Sequence, residues 1–157
     1  MDTMTESVIK TQVDPAGLDG FEQLRAMRDG HLPPAPIADT LGFAGFDVPE
    51  RGTAVFELDP EPRHYNPIGS VHGGVHATLL DSACGCAVHS TLAVGEAYTS
   101  LDLTVKFLKA VTVDSGRLRA VGTVIQRGRR TALAEAKLYD GQDRLVAYAS
   151  SSCLIMG

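Results

Sequence analysis

Gly73-Gly-Val-His-Ala-Thr-Leu-Leu-Asp81-Ser-Ala-Cys-Gly-Cys-Ala-Val-His89-Ser-Thr-Leu-Ala93 is a helix-length run with one charged side chain in it, and Asp81 is also the only charge between His64 and Gly95. On a helical projection, apolar residues fall on every side, and a helix apolar all round must be covered all round. About 20 residues is also the length of a membrane span. Gly73, Gly74, His76, Asp81, Gly85 and His89 argue against that, because ionisable groups inside a bilayer are costly. The run is therefore expected to be the buried helix of a globular protein. Either a sheet curls around it or a second copy of the chain covers it.

Beyond Gly95 the period changes to two. Leu101, Leu103, Val105 and Phe107 share one face, with Asp102, Thr104 and Lys106 on the other. Similar alternation runs over 117–125, 131–139 and 145–155, with an Asp140-Gly141 turn signal before the last strand, so four strands are expected after the helix. Ahead of the helix, 43–48 and 53–58 read as two strands joined by the Pro49-Glu-Arg-Gly52 turn. Residues 37–41 suit one or two helical turns stopped by Gly42. Leu18, Phe21, Leu24 and Met27 recur every third residue in a short amphipathic helix over 18–28. His31-Leu-Pro-Pro-Ala-Pro36 is an extended connector. Residues 1–15 lack periodicity and are expected to form a flexible tail, leaving 16–157 as one domain.

The 157-residue chain, 44% hydrophobic and 21% charged, is long enough to bury a core without staples. Its net charge of −5 excludes a basic nucleic-acid surface. The densest basic cluster is Arg127, Arg129 and Arg130, which suits either an anion site or a solvated turn. Cys84 and Cys86, two apart on a helix, point roughly 200° apart and cannot share a disulfide or a metal. With Cys153 they read as buried thiols of a reducing compartment, and Met1–Glu6 shows no basic stretch leading into an apolar one, so a cytoplasmic location is expected. His72-x-x-x-His76 lacks a following Glu, so no zinc site is expected.

Asn66-Pro-Ile-Gly-Ser-Val-His72-Gly-Gly-Val-His-Ala-Thr-Leu-Leu-Asp81 resembles the hotdog-fold thioesterases of the phenylacetate-degradation and 4-hydroxybenzoyl-CoA types. Their pattern is an Asn or Gln, His-Gly-Gly six residues on, and an Asp or Glu nine residues after that His. The resemblance extends to Leu32–Ala38, Leu101–Leu108 and Gly128–Thr131, covering roughly 30–155. It implies an α+β hotdog fold, an antiparallel sheet wrapped around a long central helix, and an acyl-CoA thioesterase that needs no cofactor. It further implies Asp81 as nucleophile or general base, the Gly73 N–H as oxyanion donor, and Asn66 orienting the thioester or the attacking water. His72 would shape the helix entry, and Ser100 or Thr99 would supply an assisting hydroxyl.

Physical chemistry points the same way for two of these residues. A carboxylate in an apolar helix persists only if paired, neutralised or needed. Gly73 and Gly74 open that helix where unpaired N–H groups favour a developing oxyanion. Arg129 and Arg130 would hold the CoA phosphates. Gly73 and Asp81 lie about 12 Å apart along one helix, so each site is expected to be shared between two copies of the chain, and the resemblance implies a homodimer or a dimer-of-dimers tetramer. Two other functions compete: a hotdog hydratase or dehydratase using an Asp and His pair, and a non-catalytic acyl-CoA-binding protein. The first usually carries a different motif. The second normally needs a DNA-binding module, for which the first 30-odd residues are too few and too acidic.

Overall fold

In the computed structural model, which describes residues 12–157, helices α1 (Gly20–Arg28) and α2 (Pro36–Leu41) lead into strands β1 (Phe43–Asp47) and β2 (Thr53–Leu58). The long helix α3 (Gly73–His89) follows, and then β3 (Ala97–Ser100), β4 (Thr104–Phe107), β5 (Leu118–Arg127), β6 (Thr131–Tyr139) and β7 (Leu145–Met156). The seven strands form one antiparallel sheet in the order β1-β2-β5-β6-β7-β3, with β4 also paired to β7. Residues 1–11 of the expected tail lie outside the described residues. Pro15–Gly17, at its end, already forms a 3-10 turn capped by Asp14. Asp19 and Glu22 then start α1 as a capping box, each carboxylate accepting the other residue's N–H at 2.9 Å.

Small side chains on the inner face of the sheet let α3 lie close against it. β6 turns Ala132, Ala134 and Ala136 inward, and β5 turns Ala120 and Gly122. A Cβ on Gly122 would stand 2.2 Å from the Ala83 carbonyl oxygen, so helix backbone rests directly on strand backbone there. Leu79, Leu80, Ala83, Cys84, Ala87 and Val88 of α3 are buried against Leu58, Leu118 and Leu138 of the sheet. Each such leucine contributes about 1.5–3 kcal/mol by leaving water.

Two expectations change. The helix stops at His89, not Ala93, because the Ser90 and Thr91 hydroxyls bond back to the Ala87 and Val88 carbonyls at 2.7 and 2.6 Å and break the ladder. Of the expected strand 101–107 only 104–107 is strand (β4); residues 101–103 separate it from β3, which was not expected, and there the Asp102 carboxylate accepts the Ser152 N–H at 2.7 Å in place of a ladder carbonyl. Leu101 and Phe107, which alternation places on one face with Leu103 and Val105, are exposed. The hotdog arrangement of sheet and central helix is as expected, and it leaves one stripe of α3 uncovered by the sheet. Gly74 and Asp81 are exposed and Thr78 is half-buried, at positions i, i+4 and i+7 that form one open stripe. Among the described residues no helix is long and apolar enough to cross a membrane.

Candidate active site

The entry to α3 is fixed by two histidines. His64 is buried, and both its ring nitrogens are used: Nδ1 accepts the Glu61 N–H at 2.9 Å, and Nε2 lies 2.8 Å from the Leu41 carbonyl. Its own carbonyl accepts the His72 N–H at 2.8 Å. His72 is the N-cap of α3, its Nδ1 accepting from the Gly74 N–H at 2.8 Å. This ring holds the helix start, which fits a positional role. The Gly73 N–H, first in the helix, has no acceptor among the described residues. A Cβ on Gly73 would come 2.9 Å from Phe107 Cζ, so the glycine keeps this corner open.

Asn66 lies beside Gly73 in a cleft of about 340 Å³ that also takes in His76, Phe107 and Lys109. Its amide is engaged in its own loop. The oxygen accepts from the Ile68 and Ser70 N–H groups, both at 3.1 Å, and the nitrogen donates to Ser70 Oγ at 3.0 Å. Asn66 thus builds the loop that leads into α3, and one of its amide hydrogens is left over for a substrate or a water.

Asp81 and Ser100 line a different cavity, of about 640 Å³, between α3 and the N-terminal helices. Leu24, Met27, Ile37, Phe43, Phe46 and Phe56 give it an apolar wall. The Asp81 carboxylate is exposed at its mouth and has neither an ion pair nor a hydrogen bond among the described residues. Desolvation by this wall raises its pKa above the ordinary carboxylate value. Strand pairing of Ser100 with Cys153 sets the register of β3, and Ser100, not Thr99, faces the cavity. Cys86 also lines it, but burial pushes its thiol pKa up to about 12, so no thiolate forms there near neutrality.

The single chain therefore brings Asp81 together with Ser100 and Asn66 together with Gly73, in two separate spaces. Arg129 and Arg130 are in neither. They are exposed, without ion pairs among the described residues, in a third hollow beside Glu96 and the β7 end. Arg127 leaves the basic cluster altogether: it donates to Glu96, to Thr91 Oγ1 at 3.0 Å and to the Gly128 carbonyl, tying the end of α3 to β5. His76 is 3% exposed, neither ring nitrogen has a hydrogen-bond partner among the described residues, and burial lowers its pKa, so it is a neutral imidazole beside Phe107. Among the described residues no group of three or more His, Cys, Asp or Glu side chains is placed to hold a metal ion.

Sequence patterns missed Tyr98, whose ring lines the Asp81 cavity, and the His89–Gln23 bond of 2.8 Å that ties α3 to α1 beside it. Inward alternation with Ser100 would have found Tyr98 once the register of β3 was known. Gln23 carries no local signal.

Residues 68–147 match the family model described as Thioesterase superfamily. The chain is 26% identical to a 1,4-dihydroxy-2-naphthoyl-CoA hydrolase of Listeria monocytogenes, over 76% of this chain and 93% of the other. It is 27% identical to the proofreading thioesterase EntH of Cronobacter turicensis, over 77% of this chain and 88% of that one. Among solved structures, a phenylacetic acid degradation-related protein of Ralstonia eutropha superimposes with a TM-score of 0.75 at 27% identity, over 83% of this chain and 98% of the other.

Proposed function

Since this chain belongs to the thioesterase superfamily, has its hotdog fold and is a thioester hydrolase, we propose that its substrates are acyl-CoA thioesters and that Asp81 drives their hydrolysis. The observation that carries this is the state of Asp81. It is the one charged side chain of α3, it is unpaired among the described residues, and it opens on an apolar cavity that burial makes unfavourable for its charge. A carboxylate kept there without a structural partner suits attack on a polarised carbonyl. The family's naphthoyl-CoA hydrolase supports CoA as the leaving group.

The acyl group enters the apolar cavity, and its carbonyl oxygen takes the free Gly73 N–H as oxyanion donor, with Asn66 beside it. Asp81 then either attacks the carbonyl carbon, giving an acyl–Asp81 anhydride as the C–S bond breaks and CoA thiolate leaves, or takes a proton from a water that attacks in its place. Ser100 assists from the opposite wall, His72 holds the helix entry, and Arg129 and Arg130 meet the CoA phosphates.

Asp81 and Gly73 meet through a second copy of the chain. Two α3 helices running antiparallel across a two-fold axis cover the open stripe of Gly74, Thr78 and Asp81, and bring Gly73 of one protomer to Asp81 of the other. The separation of the two spaces within one protomer supports this arrangement.

The test is release of free thiol from a panel of acyl-CoAs. The parent chain should turn over at least one of them, and Asp81→Asn should abolish turnover while leaving the fold intact. Turnover by Asp81→Asn within about threefold of the parent would mean under about 1 kcal/mol of lost transition-state stabilisation, too little for a nucleophile or base.

A further inference from the structure

Gly85 stands in the interior of α3, where glycine weakens a helix relative to alanine. Its tertiary surroundings explain it: a Cβ there would lie 2.8 Å from the Tyr98 hydroxyl. The glycine makes room for the phenol end of a side chain that β3 turns inward beside Ser100, into the cavity that holds Asp81. That hydroxyl has no hydrogen-bond partner among the described residues. Tyr98 is only half-buried, so its donor is open to the cavity.

The neighbours do not engage this donor. His89 meets the Tyr98 ring edge-on with centroids 5.6 Å apart, while its Nε2 is occupied by Gln23. The Cys86 thiol is a weak partner at best. A helix-interior glycine and a phenol donor without a protein partner among the described residues therefore fall at one point of one cavity wall. That point is one helical turn, about 6 Å, beyond the carboxylate. Sites that break local rules without a structural return are where ligands are read.

We propose that Tyr98 determines acyl specificity, its O–H donating to an uncharged oxygen carried by the acyl group, so that oxygen-bearing acyl thioesters are preferred over their hydrocarbon counterparts. Burial raises the phenol's pKa, so it stays a donor throughout the neutral range. A charged substituent fits poorly. An anion would be desolvated facing Asp81, and Arg28, the cation in the wall, is held by Asp29 and Asp47 at 3.0 and 2.9 Å. The apolar and aromatic wall takes the hydrocarbon body of the same group. A site built to pair a substrate oxygen discriminates strongly against the analogue lacking it, because its own polar group is then left unpaired.

This specificity rests on the acyl group occupying the Asp81 cavity, so the test reads binding and turnover separately. Calorimetric Kd values are measured for the non-hydrolysable thioether phenacyl-CoA and its 3- and 4-hydroxy derivatives. Values of kcat/KM are measured for benzoyl-CoA, butanoyl-CoA and their hydroxylated counterparts. Both sets use the parent and Tyr98→Phe, which keeps the ring over Gly85. The parent should prefer at least one hydroxylated member about tenfold or more. Tyr98→Phe should lower that preference ratio at least tenfold without lowering Tm. Equal ratios in parent and variant, or a uniform loss on all members with a lower Tm, would overturn the assignment and leave Tyr98 a packing residue. A Tyr98-dependent preference in Kd with no thioester hydrolysed would instead uphold the specificity and defeat the proposed reaction.

Discussion

Gly73→Pro paired with Asp81→Asn tests whether each site is built from two chains. Eight residues at about 1.5 Å each put the Gly73 and Asp81 backbones about 12 Å apart along α3, whereas an oxyanion donor must lie about 3 Å from the carbonyl oxygen that the carboxylate's target carries. Proline at this position removes the N–H and little else. It is favoured at the first helical residue, and His72, at φ −60° and ψ 137°, already has the extended backbone that a following proline requires. The atoms nearest an added Cβ belong to Phe107, a side chain that is 58% exposed and has room to move. Loss of one oxyanion donor costs about 10²–10³ in kcat, so Gly73→Pro alone should keep about 1% or less of activity. Asp81→Asn alone should be inactive. When equal amounts are unfolded and refolded together, half of the random dimers are mixed. In each mixed dimer one site combines both lesions and the other combines the intact Gly73 with the intact Asp81. About a quarter of parental activity should return, far above either background. Thiol release measured beside native mass spectrometry reads the activity and the mixed-dimer fraction together. No recovery in verified mixed dimers would place Gly73 and Asp81 of a site on one chain and refute the shared arrangement.

Asp81→Asn should also raise stability near pH 7. The folded chain holds the Asp81 proton to a higher pH than the unfolded chain does, so ionisation destabilises the fold above the ordinary carboxylate range. The Tm advantage of Asn should shrink as pH falls through the raised Asp81 value and vanish below the ordinary one, and a pH-independent gap would contradict it. His76→Leu should keep or raise Tm, because it removes two buried ring nitrogens without partners. The folded pKa of His76 is lowered, so the parent loses stability as acid protonates the unfolded chain through the ordinary imidazole range. The variant should lose less over that range, and identical acid profiles would argue that His76 is hydrated or paired in solution. Changing Arg129 and Arg130 together to alanine should raise KM for acyl-CoA more than for a truncated thioester without the nucleotide. Equal effects on both substrates would assign the pair to folding or surface charge.

The central helix and the strands around it could be read from the chain because their signals are local and repeat. One charge in a helix-length apolar run states burial wherever the run is placed, and the alternation over 131–139 states its inner and outer faces before any partner strand is known. The spacing of Asn66, His72, Gly73 and Asp81 is likewise contained in one continuous segment, so the candidate site was nameable there. Arg127, Arg129 and Arg130 are chemically alike in sequence. What separates them is Glu96, 31 residues from Arg127, which accepts a hydrogen bond from that arginine and, among the described residues, pairs with neither of the others. The break at 101–103 leaves the alternation intact and depends on Asp102 reaching Ser152 across the sheet. The side of β3 that faces the cavity, and with it Ser100 and Tyr98 in place of Thr99, follows from pairing with β7, since a slip of one residue turns every side chain to the other face. Periodicity and spacing are properties of neighbours along the chain and survive without a partner. Register, ion-pair choice and the walls of a cavity are energies between distant segments, and they take a value only once those segments are packed together.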